Sequence, residues 1–216
     1  MKLALFDLDH TLLQADSDHG WGEFLIRHQL VDAERHKRMN DQFYEDYKAG
    51  CLDAVAYNEF VFEFLAQHDS SELAALHEQF MDETIRPVMR PKGREAIEWH
   101  RQQGHAVAVI TATNRFITEP IALAFGVPDL MASEPEIFEG RYTGKLCGEP
   151  CIKEAKIRHL QHWLAGQTLE ESWAYSDSIN DLALLEFVDH PVVVNPDTRL
   201  HAAALDRHWP VVDWSF

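Results

Sequence analysis

Basic residues are scarce in this 216-residue chain: 19 Lys and Arg stand against 36 Asp and Glu, a formal charge of −17. A surface so acidic argues against nucleic acid or an anionic membrane as the main partner. A small anion binds such a protein only where a metal ion or local donors reverse the field. Cysteine is nearly as scarce. Cys51, Cys147 and Cys151 form no dense framework and cannot all pair, which points to free thiols in a reducing compartment. The 13 histidines fall at no paired Cys/His spacing of a structural zinc site. No apolar run approaches the length that spans a bilayer. The apolar start Met1–Leu13 is broken by Asp7 and Asp9, unlike a secretory leader. The expectation is therefore a cytoplasmic protein. With 46% apolar and 25% charged residues, disordered, collagenous and fibrous classes are excluded.

What is present alternates. Leu3–Phe6 is almost fully apolar, as expected of a strand buried on both faces, and stops at Asp7-Leu8-Asp9. Ala106–Ile110 stops at Thr111, and the weaker Trp173–Tyr175 at Ser176-Asp177. Val192–Val194 and Val211–Val212 follow. Helical spacing covers Pro91–Gln103, a segment capped by Thr118 and ended by Gly126, Glu154–Leu164 and Leu182–Phe187. Strands alternating with helices predict an α/β fold, a doubly wound parallel sheet with right-handed crossovers. Glu134–Lys145, with Gly140 and Gly144, reads as a small hairpin. Residues 16–85 break the rhythm. Trp21/Phe24/Leu25, Phe43/Tyr47, Phe60/Phe64 and Leu73/Leu76/Phe80 predict four amphipathic helices, inserted as a cap into a core of 1–15 and 86–216. Most of that aromatic stripe is expected to form the cap's own core.

In open parallel sheets, ligands sit beyond the carboxyl ends of the strands. Three strands here end in residues suited to phosphoryl transfer: Asp7/Asp9, Thr111 and Asp177/Asp181, with Lys156 early in the helix before the third. Residues i and i+2 of an extended segment project to one side, so Asp7 and Asp9 can face one substrate. One carboxylate can attack phosphorus, and a second acid can protonate the leaving oxygen and later activate water. Mg²⁺ takes a few carboxylates with water and phosphate oxygen, which Asp7 and Asp177 can supply. Thr111 and Lys156 suit the equatorial oxygens of the phosphoryl group.

Asp7-Leu8-Asp9-His10-Thr11, Ile110-Thr111, Lys156 and Asp177-Ser178-Ile179-Asn180-Asp181-Leu182 resemble the four motifs of the haloacid dehalogenase superfamily, and the insertion resembles the helical cap of its phosphoserine-phosphatase-like branch. The resemblance spans essentially the whole chain. It implies a Rossmann-like core, Mg²⁺ as cofactor and an aspartyl-phosphate intermediate. By position it makes Asp7 the nucleophile and Asp9 the general acid/base. It gives Mg²⁺ to Asp7, the Asp9 carbonyl and Asp177, with Asp181 orienting the metal waters, and gives phosphate to Thr111, Lys156 and Asn180. An acid at position 9 favours a phosphatase over a dehalogenase.

The same branch places a Glu where this chain has Asp16, to meet a substrate ammonium, and uses a cap arginine to hold a substrate carboxylate. From Ala49 to Ile85 there is no Lys or Arg at all. The clamp would have to come from Arg27, Arg35, Arg38 or Arg115. The expected substrate is a small phosphomonoester with a cationic or polar head and no obligatory carboxylate, histidinol phosphate being favoured over phosphoserine. A phospho-accepting regulatory domain and a phosphomutase are the alternatives; the large insertion argues against the first. Oligomeric state is not legible in the sequence.

Overall fold

A computed structural model describes residues 1–215. Its strands are β1 (Lys2–Phe6), β2 (Ala106–Asn114), β3 (Leu130–Phe138), β4 (Arg141–Cys147), β5 (Glu171–Ser176), β6 (His190–Val194) and β7 (Val211–Val212). They form one sheet in the order β4-β3-β2-β1-β5-β6-β7, parallel except for the antiparallel β3–β4 pair. Because β-strand side chains alternate, each central strand feeds two cores. Ala4 and Phe6 with Val107 and Val109 face one side, where Ile97 and Ile117 cover them. Leu3 and Leu5 with Ala108 and Ile110 face the other, against Leu160, Leu184 and Leu200. The first cover comes from α5 (Pro91–Gln102) and α6 (Arg115–Ala124). The second comes from α7 (Ala155–Leu164), α8 (Leu182–Phe187) and α9 (Thr198–Arg207). The doubly wound α/β class expected from the sequence is the one observed.

Between β1 and α5 lie α1 (Ser17–Arg27), α2 (Ala33–Ala49), α3 (Ala54–Ala66) and α4 (Ser70–Phe80). Each starts at an aspartate whose carboxylate takes an N–H of the first turn: Asp16, Asp32, Asp53 and Asp69, the last in a full capping box with Glu72. Part of the acidity that looked like surface charge is thus spent on helix starts. The aromatic stripe does not stay within these helices. Trp21 stacks with Phe24 and meets Phe116 of α6 edge-on at 5.4 Å, and His77 Nε2–H donates to the Ile117 carbonyl at 2.9 Å. One apolar cluster runs from Phe6 of the sheet to Phe62 and Phe80.

Three local expectations need correction. Helix α6 begins at Arg115, capped by Asn114, whose side chain accepts the Ile117 N–H; Thr118 instead bonds back to the Asn114 carbonyl. The hairpin strand reaches back to Leu130, whose first half pairs with β2 in parallel, because its Pro135 and polar outer half hide the strand pattern. Helix α9, Thr198–Arg207, follows β6 where the sequence reading named no helix; Asp197 caps it with two N–H bonds. No helix among the described residues is long and apolar enough to cross a membrane.

Candidate active site

The loop after β1 is held from below and from outside. The Asp7 N–H continues the β1–β5 ladder to the Tyr175 carbonyl, and Leu13 N–H closes the loop onto the Leu8 carbonyl. His10 takes φ +55°, a left-handed conformation uncommon outside glycine, and its N–H reaches the Ala15 carbonyl. Buried Arg90, just before α5, donates to the carbonyls of Leu13 (3.1 Å) and His10 (3.3 Å). A cation therefore fixes the backbone that carries two acids.

On this platform the separated motifs meet. Lys156 Nζ, 2% exposed, lies 2.9 Å from Asp7 Oδ1 and 2.7 Å from Asp181. Ser176 donates to the same Asp181 carboxylate. Thr11 Oγ1 lies between Asp7 Oδ2 (3.3 Å) and Asp177 Oδ1 (3.1 Å). Asp9 Oδ1 accepts the Ser17 N–H at 2.6 Å and Oδ2 the Thr113 hydroxyl at 2.7 Å, so Asp9 is aimed by α1 on one side and β2 on the other. Thr111, Thr113, Asp7, Asp9 and Asp16 all line one cavity beneath α2 and α3.

Asp16 lines the cavity while its Oδ1 caps α1 by accepting the His19 N–H. Asn180 lies at the rim beside Asp177, and its amide donates to the Tyr47 carbonyl at the end of α2. The residues to which the sequence reading gave no role are Thr11, Thr113, Arg90, Ser176 and Asp18. Thr11 and Thr113 stand two residues beyond Asp9 and Thr111, a period-2 signal that was there to be used. Arg90, Ser176 and Asp18 carry no such signal.

The electrostatics are lopsided. Burial pushes Asp7 up to about 7, Lys156 pulling it back and Asp181 adding to the rise. Burial, then Asp16, raises Asp9 to about 7 against its Ser17 and Thr113 bonds. Asp177 is driven well above the carboxylate range by burial and by Asp7 and Asp181. Burial opposes the Lys156 ammonium, but Asp181 and Asp7 outweigh it and hold it well above its usual value. Lys156 thus serves Asp7 and Asp181 but not Asp177, and the single Thr11 proton cannot serve both acids beside it. Hard oxygen donors with uncompensated negative charge fit a divalent cation such as Mg²⁺.

Residues 4–186 match the family model of the haloacid dehalogenase-like hydrolases. The chain belongs to that family. A histidinol-phosphatase of Neisseria meningitidis is 43% identical over 219 residues, 99% of each chain. A protein of unknown function from Bordetella pertussis has a crystal structure with TM-score 0.92 and 44% identity, covering 99% of both chains. A substrate-bound phosphoserine phosphatase shares the fold, with TM-score 0.68 at 18% identity over 93% of this chain and 89% of that one. The expectation of a phosphatase within this family is borne out.

Proposed function

We propose that the chain is a Mg²⁺-dependent phosphatase that hydrolyses a small phosphomonoester through an aspartyl-phosphate on Asp7. The convergence of Asp7, Asp9, Lys156 and Asp177, residues up to 170 positions apart, at the ends of β1 and β5 carries this reading. Asp7 attacks phosphorus as the ester P–O bond breaks, and Asp9 gives its proton to the departing alcohol oxygen. Asp9, now ionised, takes a proton from the water that attacks phosphorus. The P–O bond to Asp7 then breaks and inorganic phosphate leaves. A carboxyl held near 7 suits both halves of that exchange at neutral pH. Asp7, the Asp9 carbonyl and Asp177 would hold Mg²⁺, which supplies charge stabilisation to the phosphoryl oxygens. Asp181 fixes Lys156 and its surroundings from behind, while Thr111, Lys156 and Asn180 are the phosphate-side donors. The helices of residues 16–85 serve as the cap that excludes water.

The substrate class follows from what lines the cavity. Among the described residues no Lys or Arg does. Arg27, Arg35 and Arg115 are engaged with Glu83, Glu63 and Glu134, and Arg38 lies outside the cavity. A substrate carboxylate would meet Asp16 and Asp18 with nothing to offset them. An amino-alcohol phosphate without a carboxylate fits, and histidinol phosphate is favoured over phosphoserine, in keeping with the Neisseria relative's name. Phosphate release from both esters with Mg²⁺ tests this: L-histidinol phosphate should exceed L-phosphoserine in kcat/KM by at least about 100-fold, the scale set by a missing charged contact. Asp7→Asn should lower turnover by at least about 10³-fold, and enzyme quenched during turnover should carry +80 Da, about the mass of one phosphoryl group, on Asp7.

A further inference from the structure

Asp18 is an acid at the cavity wall to which the proposed chemistry gives no task. It stands in the first turn of α1 and is 7% exposed, and its Oδ1 has no hydrogen-bond partner. Among the described residues no cation pairs with it, and the Tyr57 hydroxyl lies beside it. A buried carboxylate oxygen without a partner is costly unless something outside the chain satisfies it. Asp16, two residues earlier, is placed differently, since its Oδ1 is already used to cap the same helix. The wall around Asp18 is aromatic, with Tyr44 and Tyr57 on adjoining helices, a setting that favours an organic cation over a hydrated metal ion.

Resting on the phosphatase reading above, we propose that Asp18 is the specificity-determining residue of this site, binding the ammonium of an amino-alcohol phosphate. The phosphate would lie toward Asp7 and Thr111, the ammonium against the Asp18 carboxylate, and the Tyr44 and Tyr57 rings beside the substrate's side group. Asp16 then supports α1 and adds field, without being the main contact.

The test measures binding and turnover separately. Calorimetry on Asp7→Asn protein with Mg²⁺ at pH 7.5 compares L-histidinol phosphate with its deamino counterpart, 3-(imidazol-4-yl)propyl phosphate; at that pH the imidazole of both is mostly neutral. The amine should tighten binding by roughly 30-fold, the scale of one charged hydrogen bond. Asp18→Asn, added to the same background, should reduce that ratio to about 3-fold or less, whereas Asp16→Asn, which can still cap the helix, should keep most of it. Taking the ratio of two esters on one protein cancels general damage to the fold. An undiminished ratio in Asp18→Asn, or a collapse confined to Asp16→Asn, overturns the assignment. Turnover of both esters by otherwise unaltered enzyme tells the two readings apart: absence of hydrolysis with an intact binding ratio rejects the phosphatase chemistry and leaves the ammonium site standing.

Discussion

At the scale of single residues, the site is defined by excess negative charge. Asp177 has no basic partner, and its neighbour Thr11 has one proton to divide between two acids. Replacing Asp177 by Asn keeps a hydrogen-bonding group of the same shape and removes the charge. Metal-free Asp177→Asn should therefore be more stable than the unaltered protein, by about 1–3 kcal/mol. The proposed Mg²⁺ site predicts a stability gain on adding Mg²⁺ that falls sharply in the variant. Thermal melts in EDTA and in Mg²⁺ check both parts; a variant that melts lower in EDTA would show that Asp177 is already balanced within the fold. Lys156 is the opposite case, a buried ammonium matched by two carboxylates, so truncating it leaves charges stranded and harms stability and chemistry together.

At the scale of elements, the end of α2 is the place to look. Three side chains from the sheet core donate to carbonyls within its last turn and C-cap: Asn180 to Tyr47, Arg199 to Lys48 and Lys153 to Gly50. Helix C-termini present unsatisfied carbonyls with a negative dipole end, so two cations and an amide make a natural fastening. It joins the inserted helices to the lips of the site, opposite the aromatic contact of Trp21 with Phe116. Lys153→Met combined with Arg199→Met should loosen the fastening without touching the carboxylates. Amide exchange at Gly50 and Cys51, whose N–H groups bond to the Tyr47 and Asp46 carbonyls, should then speed up by roughly tenfold, the value of one such contact. Unchanged exchange would mean that the apolar contacts alone hold this end in place.

At the scale of the whole molecule, a buried histidine outside the carboxylate cluster adds to the acid sensitivity of the fold. His100 is fully buried on the opposite side of β1, between His105 (2.9 Å) and the Tyr175 hydroxyl (3.0 Å), edge-on to Phe6. Burial, and then His105, lowers it from 6.5 to about 4. The unfolded chain takes up a proton near pH 6.5 that the folded chain refuses until about pH 4. This histidine's contribution is thus complete above pH 6.5 and is lost as pH falls toward 4, by roughly 3 kcal/mol in all. His100→Gln should cost stability at pH 8, and the gap from the unaltered protein should narrow between pH 6.5 and 4. Urea midpoints across this pH range measure this; parallel pH curves would assign the acid sensitivity elsewhere.

The buried strands, the four inserted helices and the order of the phosphoryl-transfer motifs were all legible in the chain, because each rests on local rules: period 2, period 3.6, and chemistry-bearing residues at strand ends. Asp7, Asp9, Thr111, Asp177 and Lys156 could be listed from sequence for that reason. The start of β3, helix α9 and the cap of α6 escaped: Leu130–Ser133 is a buried run cut short by Pro135, Asp197 reads in sequence only as the end of the preceding strand, and Asn114 competes with Thr118 only through backbone geometry. No local rule states that Asp18 ends buried without a partner while Asp16 is occupied, or that Arg90 grips the loop of Asp7 across 80 residues. Those facts depend on which groups are dehydrated together, and folding alone determines the environment in which a carboxylate must find its counter-charge.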